Sequence, residues 1–139
     1  MNDLMRNALD VHDVLTCYIK IHNDIFKSSI RRIIPIPGIF QSIDYSNHHH
    51  NLFELTKELE TIISKTIGND EFPCALREFT TALFETISKL QEICEKLYKK
   101  SQGESNAYPK KLYELDLKEY RSCEQKHLIL GERLNQFIR

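Results

Sequence analysis

The chain has 139 residues, 41% hydrophobic and 28% charged, and its nineteen basic side chains nearly balance twenty acidic ones to leave a formal charge of −1. This length fits one domain with a buried core, and this composition excludes an intrinsically disordered chain. The near-neutral charge argues against a nucleic-acid-binding protein, which usually carries a marked basic excess. The longest apolar run, residues 33–40, holds two prolines and is too short to span a bilayer.

The cysteines and the N-terminal residues predict a cytoplasmic protein. The four cysteines show neither CxxC spacing nor the density of a disulfide scaffold, so we expect reduced thiols in the core. Residues 1–6 precede no apolar stretch of the kind that secretory signals contain.

The first predicted helix begins at Asn2 or Asp3 and ends at Arg31. Its apolar residues recur at intervals of three and four, which places them on one face of a helix. These residues are Leu4, Ala8, Val11, Leu15, Tyr18, His22 and Ile25. Pro35 and Pro37 end the pattern, since proline lacks the amide donor that a helix needs.

Residues 33–46 form the one long predicted connection, and they are unusually apolar for a loop. The apolar members are Ile33, Ile34, Ile36, Ile39, Phe40 and Ile43. Burying one such side chain contributes about 1.5–3 kcal/mol, so leaving all of them in water is unfavourable. The segment therefore either covers one end of the molecule as a lid or presents an adhesive surface to a partner.

The second predicted helix runs from about Asn47 to Ile67. Its apolar seam consists of Leu52, Leu55, Leu59 and Ile62. Asn51, three residues before a glutamate, has the spacing of an N-cap, and Ser46 is a rival cap one turn earlier. Gly68 is expected to end the helix, because glycine adopts the left-handed conformation found there at little cost.

The third predicted helix covers residues 72–98 and has the clearest pattern in the chain. Two sets of residues, each repeating every seven positions, share one seam. They are Leu76, Leu83, Leu90 and Leu97, and Phe72, Phe79, Thr86 and Ile93. The stripe is wider than that of a coiled coil, which favours packing within the chain over a leucine-zipper dimer. Asn69 and Asp70 are the candidate caps, and Pro73 is tolerated in the first turn.

Pro109 opens the fourth predicted helix, which runs to the end of the sequence. Its apolar face consists of Tyr113, Leu117, Tyr120, Cys123, His127, Leu130, Leu134, Phe137 and Ile138. Gly131 inside this helix costs about 1 kcal/mol relative to alanine, so we attribute its presence to a close helix contact. No C-cap follows Ile138, which fits either the N-terminal fragment of a longer chain or a frayed natural terminus.

Four amphipathic helices with two short links predict an all-α fold, an antiparallel up-down four-helix bundle with one long apolar loop (33–46) between its first two helices. The chain, residues 1–139, is predicted to form a single domain. No alternating strand pattern competes with this interpretation.

Candidate chemical sites are few. The sequence holds none of the motifs of serine hydrolases, zinc proteases, P-loop NTPases or dinucleotide-binding enzymes, so no cofactor is expected. The weak metal candidates are His12, Glu124 and His127, because 124 and 127 have the E-x-x-H spacing of carboxylate metal sites and His12 falls at a similar height. A complete site needs further ligands, so a hydrogen-bonded core histidine at His22 or His127 is the preferred interpretation. The triplet 48–50 is interpreted as surface histidines.

One end of the predicted bundle collects basic side chains beside the apolar loop. The candidate partner-binding residues there are Lys27, Arg31, Arg32, Ile36, Ile39, Phe40, Lys96, Lys99, Lys100, Lys110 and Lys111. Such a surface suits an acidic protein or anionic lipid headgroups. Lysines at helix C-termini also complement the helix dipole without any ligand, and that alternative stays open.

The predicted function is a non-enzymatic protein-interaction module, an adaptor or scaffold that binds another protein through a helix groove or through its basic end. A peripheral membrane-associating domain that uses the basic end and loop 33–46 is one alternative, and a metal-binding helical bundle is another. The main support is a complete hydrophobic pattern with no convergent polar cluster left for catalysis. A homo-oligomer is compatible with the sequence, and nucleic acid is not an expected partner.

Overall fold

The computed structural model of the chain describes residues 3–31, 44–103 and 108–138, with the side chains of all of these except 27–31. These residues form four helices: α1 (Asp3–Arg31), α2 (Tyr45–Lys65), α3 (Glu71–Ser101) and α4 (Lys110–Ile138). The described ranges contain no strand. The all-α prediction is therefore confirmed, and within these ranges no helix is long and apolar enough to cross a membrane.

Side-chain contacts between neighbouring helices show that the bundle is antiparallel. In each pair of helices, a residue near the start of one helix contacts a residue near the end of the other. The contacts are Asn7–Thr66 and Asp24–His48 between α1 and the two ends of α2, and Glu78–Arg133 and Lys96–Asp116 between α3 and α4. The up-down arrangement predicted from the short links is confirmed.

The core is built around α3, which forms the extensive interfaces with α2 and α4 and also touches α1. Leu76, Leu83 and Leu90 of the heptad repeat are fully buried, and Leu97 at its end is half-buried. Because the core of the chain itself buries this repeat, the leucines are not available to form a zipper with a second chain. The prediction of packing within the chain is confirmed.

The start of α2 differs from the prediction. The helix begins at Tyr45, and its N-cap is Asp44, whose Oδ1 accepts a hydrogen bond from the backbone amide of Asn47 at 2.9 Å. Asn51 and Ser46 are therefore inside the helix, and choosing either of them as the cap was wrong. The physical reason is that the buried Tyr45 side chain joins the core, so the first turn is held by packing as well as by its cap.

The predicted loop 33–46 is thus shorter at its C-terminal end, since Tyr45 and Ser46 are helical. The remaining positions 33–43 lie outside the described residues, and so do the predictions that the loop forms a lid or an adhesive surface.

The turn between α2 and α3 is tight. The helix ends at Lys65, two residues before the predicted end at Ile67. Thr66 is its C-cap, and the Thr66 hydroxyl donates to the carbonyl of Ile62 at 2.7 Å. Gly68 has φ +127°, and a Cβ atom there would lie 3.1 Å from Cγ of Pro73. The predicted need for glycine is confirmed, because a side chain would be strained in this conformation. Asp70 is the N-cap of α3, although its side chain accepts no hydrogen bond from the backbone amides of the first turn.

α1 is held less tightly than the other helices. It packs along α2 and touches α3, while its contact with α4 is made by long side chains rather than by close approach of the two backbones. Val11, Val14 and Ile25 nevertheless anchor its inner face in the core. The bundle consequently stays open along the side where α1 and α4 face each other.

Candidate functional site

An apolar groove of about 460 Å³ runs between α1 and α4. Residues 8–22 of α1 and 124–138 of α4 supply its two walls, and Phe79 of α3 contributes to its floor. The principal side chains are Val11, His12, Leu15, Tyr18, Ile19 and His22 from α1, and Glu124, His127, Leu128, Glu132, Leu134 and Ile138 from α4. Sequence periodicity places each set on one face of its helix. The separation of the two faces, which creates the groove, is set by the packing of the helices.

Large apolar side chains remain in contact with water along both walls. Ile19 on α1 is 45% exposed, and Leu128 and Ile138 on α4 are 61% and 37% exposed. Two exposed apolar residues of closely similar exposure, Leu9 at 45% and Ile129 at 59%, do not line the groove. Leu9 and Ile129 therefore match Ile19 and Leu128 in type and exposure on the same helices, and they can serve as controls for substitutions in the groove.

A polar bridge joins α1 and α4 inside the groove. The hydroxyls of Tyr18 and Tyr120 form a short hydrogen bond, and the Tyr120 hydroxyl lies 2.7 Å from Nδ1 of His22. Burial raises the pKa of both tyrosines and lowers the pKa of His22, so all three groups are neutral near pH 7. The three groups form one continuous chain of hydrogen bonds that crosses between the helices.

His127 lies at the floor of the groove and is only 4% exposed. Its Nδ1 is 3.0 Å from the hydroxyl of Thr86, and that hydroxyl lies 2.9 Å from the carbonyl of Ala82. Since the single hydroxyl hydrogen of Thr86 is donated to Ala82, Nδ1 of His127 carries a proton and donates to Thr86. Burial lowers the pKa of His127, while a hydrogen bond to the backbone of Cys123 opposes this shift.

These contacts confirm the interpretation of His22 and His127 as hydrogen-bonded core histidines. Both make side-chain hydrogen bonds to neighbouring helices, His22 to α4 and His127 to α3. The prediction for the histidine triplet was incomplete, because His48 is not a plain surface residue. Its Nε2 lies 2.5 Å from Oδ2 of Asp24, which links the start of α2 to α1.

The three weak metal candidates all lie in the groove. His12 is exposed on the α1 wall, Glu124 is half-buried on the α4 wall, and His127 is at the floor. In the described ranges, no group of three histidine, cysteine, aspartate or glutamate residues is placed to hold a metal ion. Nδ1 of His127 is directed at Thr86.

The proposed basic end is only partly visible. Arg32, Ile36, Ile39 and Phe40 lie outside the described residues, as do the side chains of Lys27 and Arg31. The lysines that can be placed are largely paired with carboxylates. These pairs are Lys96–Asp116 at 2.9 Å, Lys99–Glu95 at 3.5 Å and Lys110–Glu114 at 3.8 Å, whereas Lys100 and Lys111 are simply exposed.

Sequence reasoning missed a buried ionic cluster where α4 meets α3. Asp116, 4% exposed, accepts hydrogen bonds from Lys89 at 3.0 Å, Lys96 at 2.9 Å and the hydroxyl of Tyr108 at 2.6 Å. Burial by itself disfavours the charged carboxylate, but the hydrogen bonds from Tyr108, Lys96 and Lys89 outweigh it and lower the pKa of Asp116 to about 2.

The available signal for this cluster was the position of Asp116 itself. An acidic residue falls between Tyr113 and Tyr120 on the apolar stripe of α4, where a charge is expected only if it is paired. The cluster ties the segment before α4 to α3, and every charge in it has an opposite partner, because Glu92 and Glu119 at its edge also pair with the two lysines.

Over the described residues, fold and groove together define the class: an all-α antiparallel bundle with an open, apolar groove between α1 and α4. Comparison with protein-family models, with curated proteins and with solved structures finds no significant match to this chain.

Proposed function

We propose that this protein is a non-enzymatic interaction module, an adaptor or scaffold, that binds a helical segment of another protein in the groove between α1 and α4. The observation that carries the proposal is the groove itself, with exposed Ile19, Leu128 and Ile138 along its walls. An amphipathic helix laid in an apolar groove is a common mode of protein recognition. Each large apolar side chain that such a partner covers contributes up to about 1.5–3 kcal/mol.

The dimensions of the groove suit a helix. Each wall spans 15 residues, 8–22 on α1 and 124–138 on α4, which corresponds to about 21 Å along a helix axis. A partner helix of about four turns would therefore contact both walls over their whole length.

The polar groups at the base of the groove link its walls and floor. Tyr18, Tyr120 and His22 hydrogen-bond to one another, and His127 is bonded to Thr86. Each of the four is held by a hydrogen bond from another helix, which fixes its position in the groove. They hold the groove in shape, which lowers the entropic cost of accepting a partner.

The basic end is the less favoured surface for the same function. Pairing of Lys96, Lys99 and Lys110 with carboxylates removes much of the positive charge that an acidic protein or an anionic membrane would need. A cytoplasmic location belongs to the same proposal, supported by four cysteines that are all free thiols.

The experiment uses a photo-crosslinking amino acid placed at Leu128 in one protein and at Ile129 in another. The two positions are adjacent and similarly exposed, but only Leu128 faces the groove. After illumination in an extract of the source cells, mass spectrometry identifies the crosslinked segment. We expect position 128 to crosslink one recurring segment with a helical apolar pattern, and position 129 not to crosslink it.

The binding surface is then tested with the identified segment as a synthetic peptide. The double variant Ile19→Asp/Leu128→Asp should lose binding at least 10-fold, while the matched variant Leu9→Asp/Ile129→Asp should bind as the wild type does. Equal crosslinking from both positions, or equal binding by both double variants, would refute the groove as the binding surface.

A further inference from the structure

We infer that the helix bound in the groove is basic, with a lysine or arginine four residues before and four residues after a central apolar anchor. This inference rests on the proposed function and adds to it the charge and the spacing of the partner. It follows from the charges that line the groove, from their positions along α4 and from the basic residues of this chain.

The ionisable groups of the groove leave a net negative charge. α4 contributes Glu124 and Glu132, α1 contributes His12 and His22, and the floor contributes His127. His22 and His127 are kept neutral near pH 7 by burial, as their lowered pKa values show. The two carboxylates therefore dominate the field inside the groove, and a cationic partner is the complementary one.

Glu124 is the carboxylate that gains most from a partner. It is half-buried, and within the described residues no hydrogen bond or ion pair engages it. Burial raises the pKa of Glu124, and the charge of Arg121 one turn earlier opposes the shift without cancelling it. A carboxylate in this position is only partly solvated, so a cation brought by the partner stabilises it more than it would a fully hydrated group.

The spacing follows from the α4 wall. Glu124, Leu128 and Glu132 lie at intervals of four residues, so the two carboxylates are about 12 Å apart with an apolar side chain between them. Leu15 and Ile19 form the apolar part of the opposite wall. A helix lying along the groove would place its apolar anchor beside Leu128 and a cation one turn away on each side.

A second copy of this chain does not supply that pattern. The sequence contains three pairs of lysines or arginines eight residues apart, and in each pair the residue midway is polar. The triplets are Lys57–Thr61–Lys65, Lys110–Glu114–Lys118 and Lys118–Ser122–Lys126. The complementary helix therefore belongs to a different protein.

The test is a display library of 17-residue helical peptides. Each peptide has a leucine anchor at its centre, and the residues four before and four after it vary among lysine, arginine, glutamate and glutamine. Binders are selected on the wild-type protein and counter-selected on Ile19→Asp/Leu128→Asp, so that only groove-dependent binders remain. Sequencing then measures the charge at the two variable positions.

We expect lysine and arginine to be enriched about 10-fold over glutamate at both positions. The preference should disappear when the selection uses Glu124→Gln/Glu132→Gln, and it should persist with the control Glu54→Gln/Glu60→Gln, which changes two exposed glutamates of α2.

Three results would overturn the inference. Groove-dependent binders with no charge preference, or with a preference for glutamate, would contradict it while leaving the proposed function intact. A library without any groove-dependent binder would contradict both proposals. Sedimentation that finds a wild-type dimer and a monomeric Ile19→Asp/Leu128→Asp variant would identify a second copy as the occupant and exclude a different protein.

Discussion

Asp116 illustrates how a single buried charge can be stable inside an apolar interface. Its carboxylate accepts three hydrogen bonds from Lys89, Lys96 and Tyr108, so the cost of removing it from water is offset at every oxygen. Lys96 was predicted to be part of an exposed basic end, and instead it is largely committed to this cluster. Lysine usually lies on the protein surface, but Lys96 here helps to hold α3 and α4 together.

Replacing Asp116 tests the strength of that cluster. We expect Asp116→Asn to lower the free energy of unfolding by about 2–4 kcal/mol, because Lys89 and Lys96 lose their buried carboxylate partner and keep only the exposed Glu92 and Glu119. The measurement is urea denaturation at pH 7. Glu114→Gln is the control, since the exposed Glu114–Lys110 pair should contribute less than about 1 kcal/mol. Equal effects of the two substitutions would contradict the assignment.

The same carboxylate predicts an acid-dependent loss of stability. The pKa of Asp116 is about 2 in the folded protein and about 3.9 in an unfolded chain, so its contribution is present above pH 4 and is lost as the pH falls towards 2. The decline in unfolding free energy between pH 4 and pH 2 should be smaller in Asp116→Asn than in the wild type. Parallel declines would show that other carboxylates dominate.

His127 predicts a second pH effect with the same sign. Burial lowers its pKa in the folded protein, so below pH 6.5 the unfolded chain takes up a proton that the folded chain resists, and stability falls. We therefore expect the destabilisation caused by His127→Gln to be smaller at pH 5 than at pH 7.5. Denaturation at both pH values checks this, and an unchanged or larger cost at pH 5 would contradict it.

At the scale of the helices, Gly131 allows α3 and α4 to approach closely. A Cβ atom at this position would lie 3.0 Å from Cε1 of Phe79, which confirms the close helix contact predicted from the sequence. Glycine within a helix costs about 1 kcal/mol relative to alanine. A larger residue at position 131 would press against the Phe79 ring, and this clash is the reason for glycine there.

A double-mutant cycle measures this contact. We expect Gly131→Val to destabilise the protein by about 2 kcal/mol through overpacking against Phe79. In a Phe79→Leu background the same substitution should cost at least about 1 kcal/mol less, because the smaller side chain leaves room for the new methyl groups. Chemical denaturation of the four proteins provides the energies. Additive effects would show that Phe79 is not what confines position 131.

At the scale of the whole molecule, the four helices differ in how firmly they are held. α3 is enclosed by its neighbours, whereas α1 packs mainly on α2 and reaches α4 through the bridge of Tyr18, Tyr120 and His22. Regions with fewer packing contacts open locally at a lower free energy than the core does. Local opening should therefore require the least free energy at α1, on the side of the molecule that forms the groove.

Hydrogen exchange tests this order of stability. Amides in the middle of α3, such as those of Leu83 and Leu90, should exchange only through global unfolding, and those of α1, such as Val14, through a smaller opening. Tyr120→Phe removes the hydroxyl shared by Tyr18 and His22, so it should lower protection in α1 more than in α3. Equal protection of α1 and α3 in the wild type would contradict a loosely held α1.

Much of the candidate site could not be predicted from the sequence. The wall residues Ile19 and Leu128 have apolar side chains like many others, and nothing in their spacing distinguishes them from Leu9 and Ile129. What separates the two pairs is the rotation of α1 and α4 about their axes and the distance between them. Those quantities are set by contacts between helices, which periodicity along one helix does not encode.

The sequence by itself determined the number, order and approximate limits of the helices, the seam of α3 and the antiparallel arrangement. It could do so because helix periodicity, proline positions and short links are local properties. Only the tertiary structure decided that α1 and α4 stay apart, that Asp116 is buried among two lysines and a tyrosine, and that His48 pairs with Asp24. Each of these depends on residues far apart in the chain meeting at a particular distance, which only packing can specify.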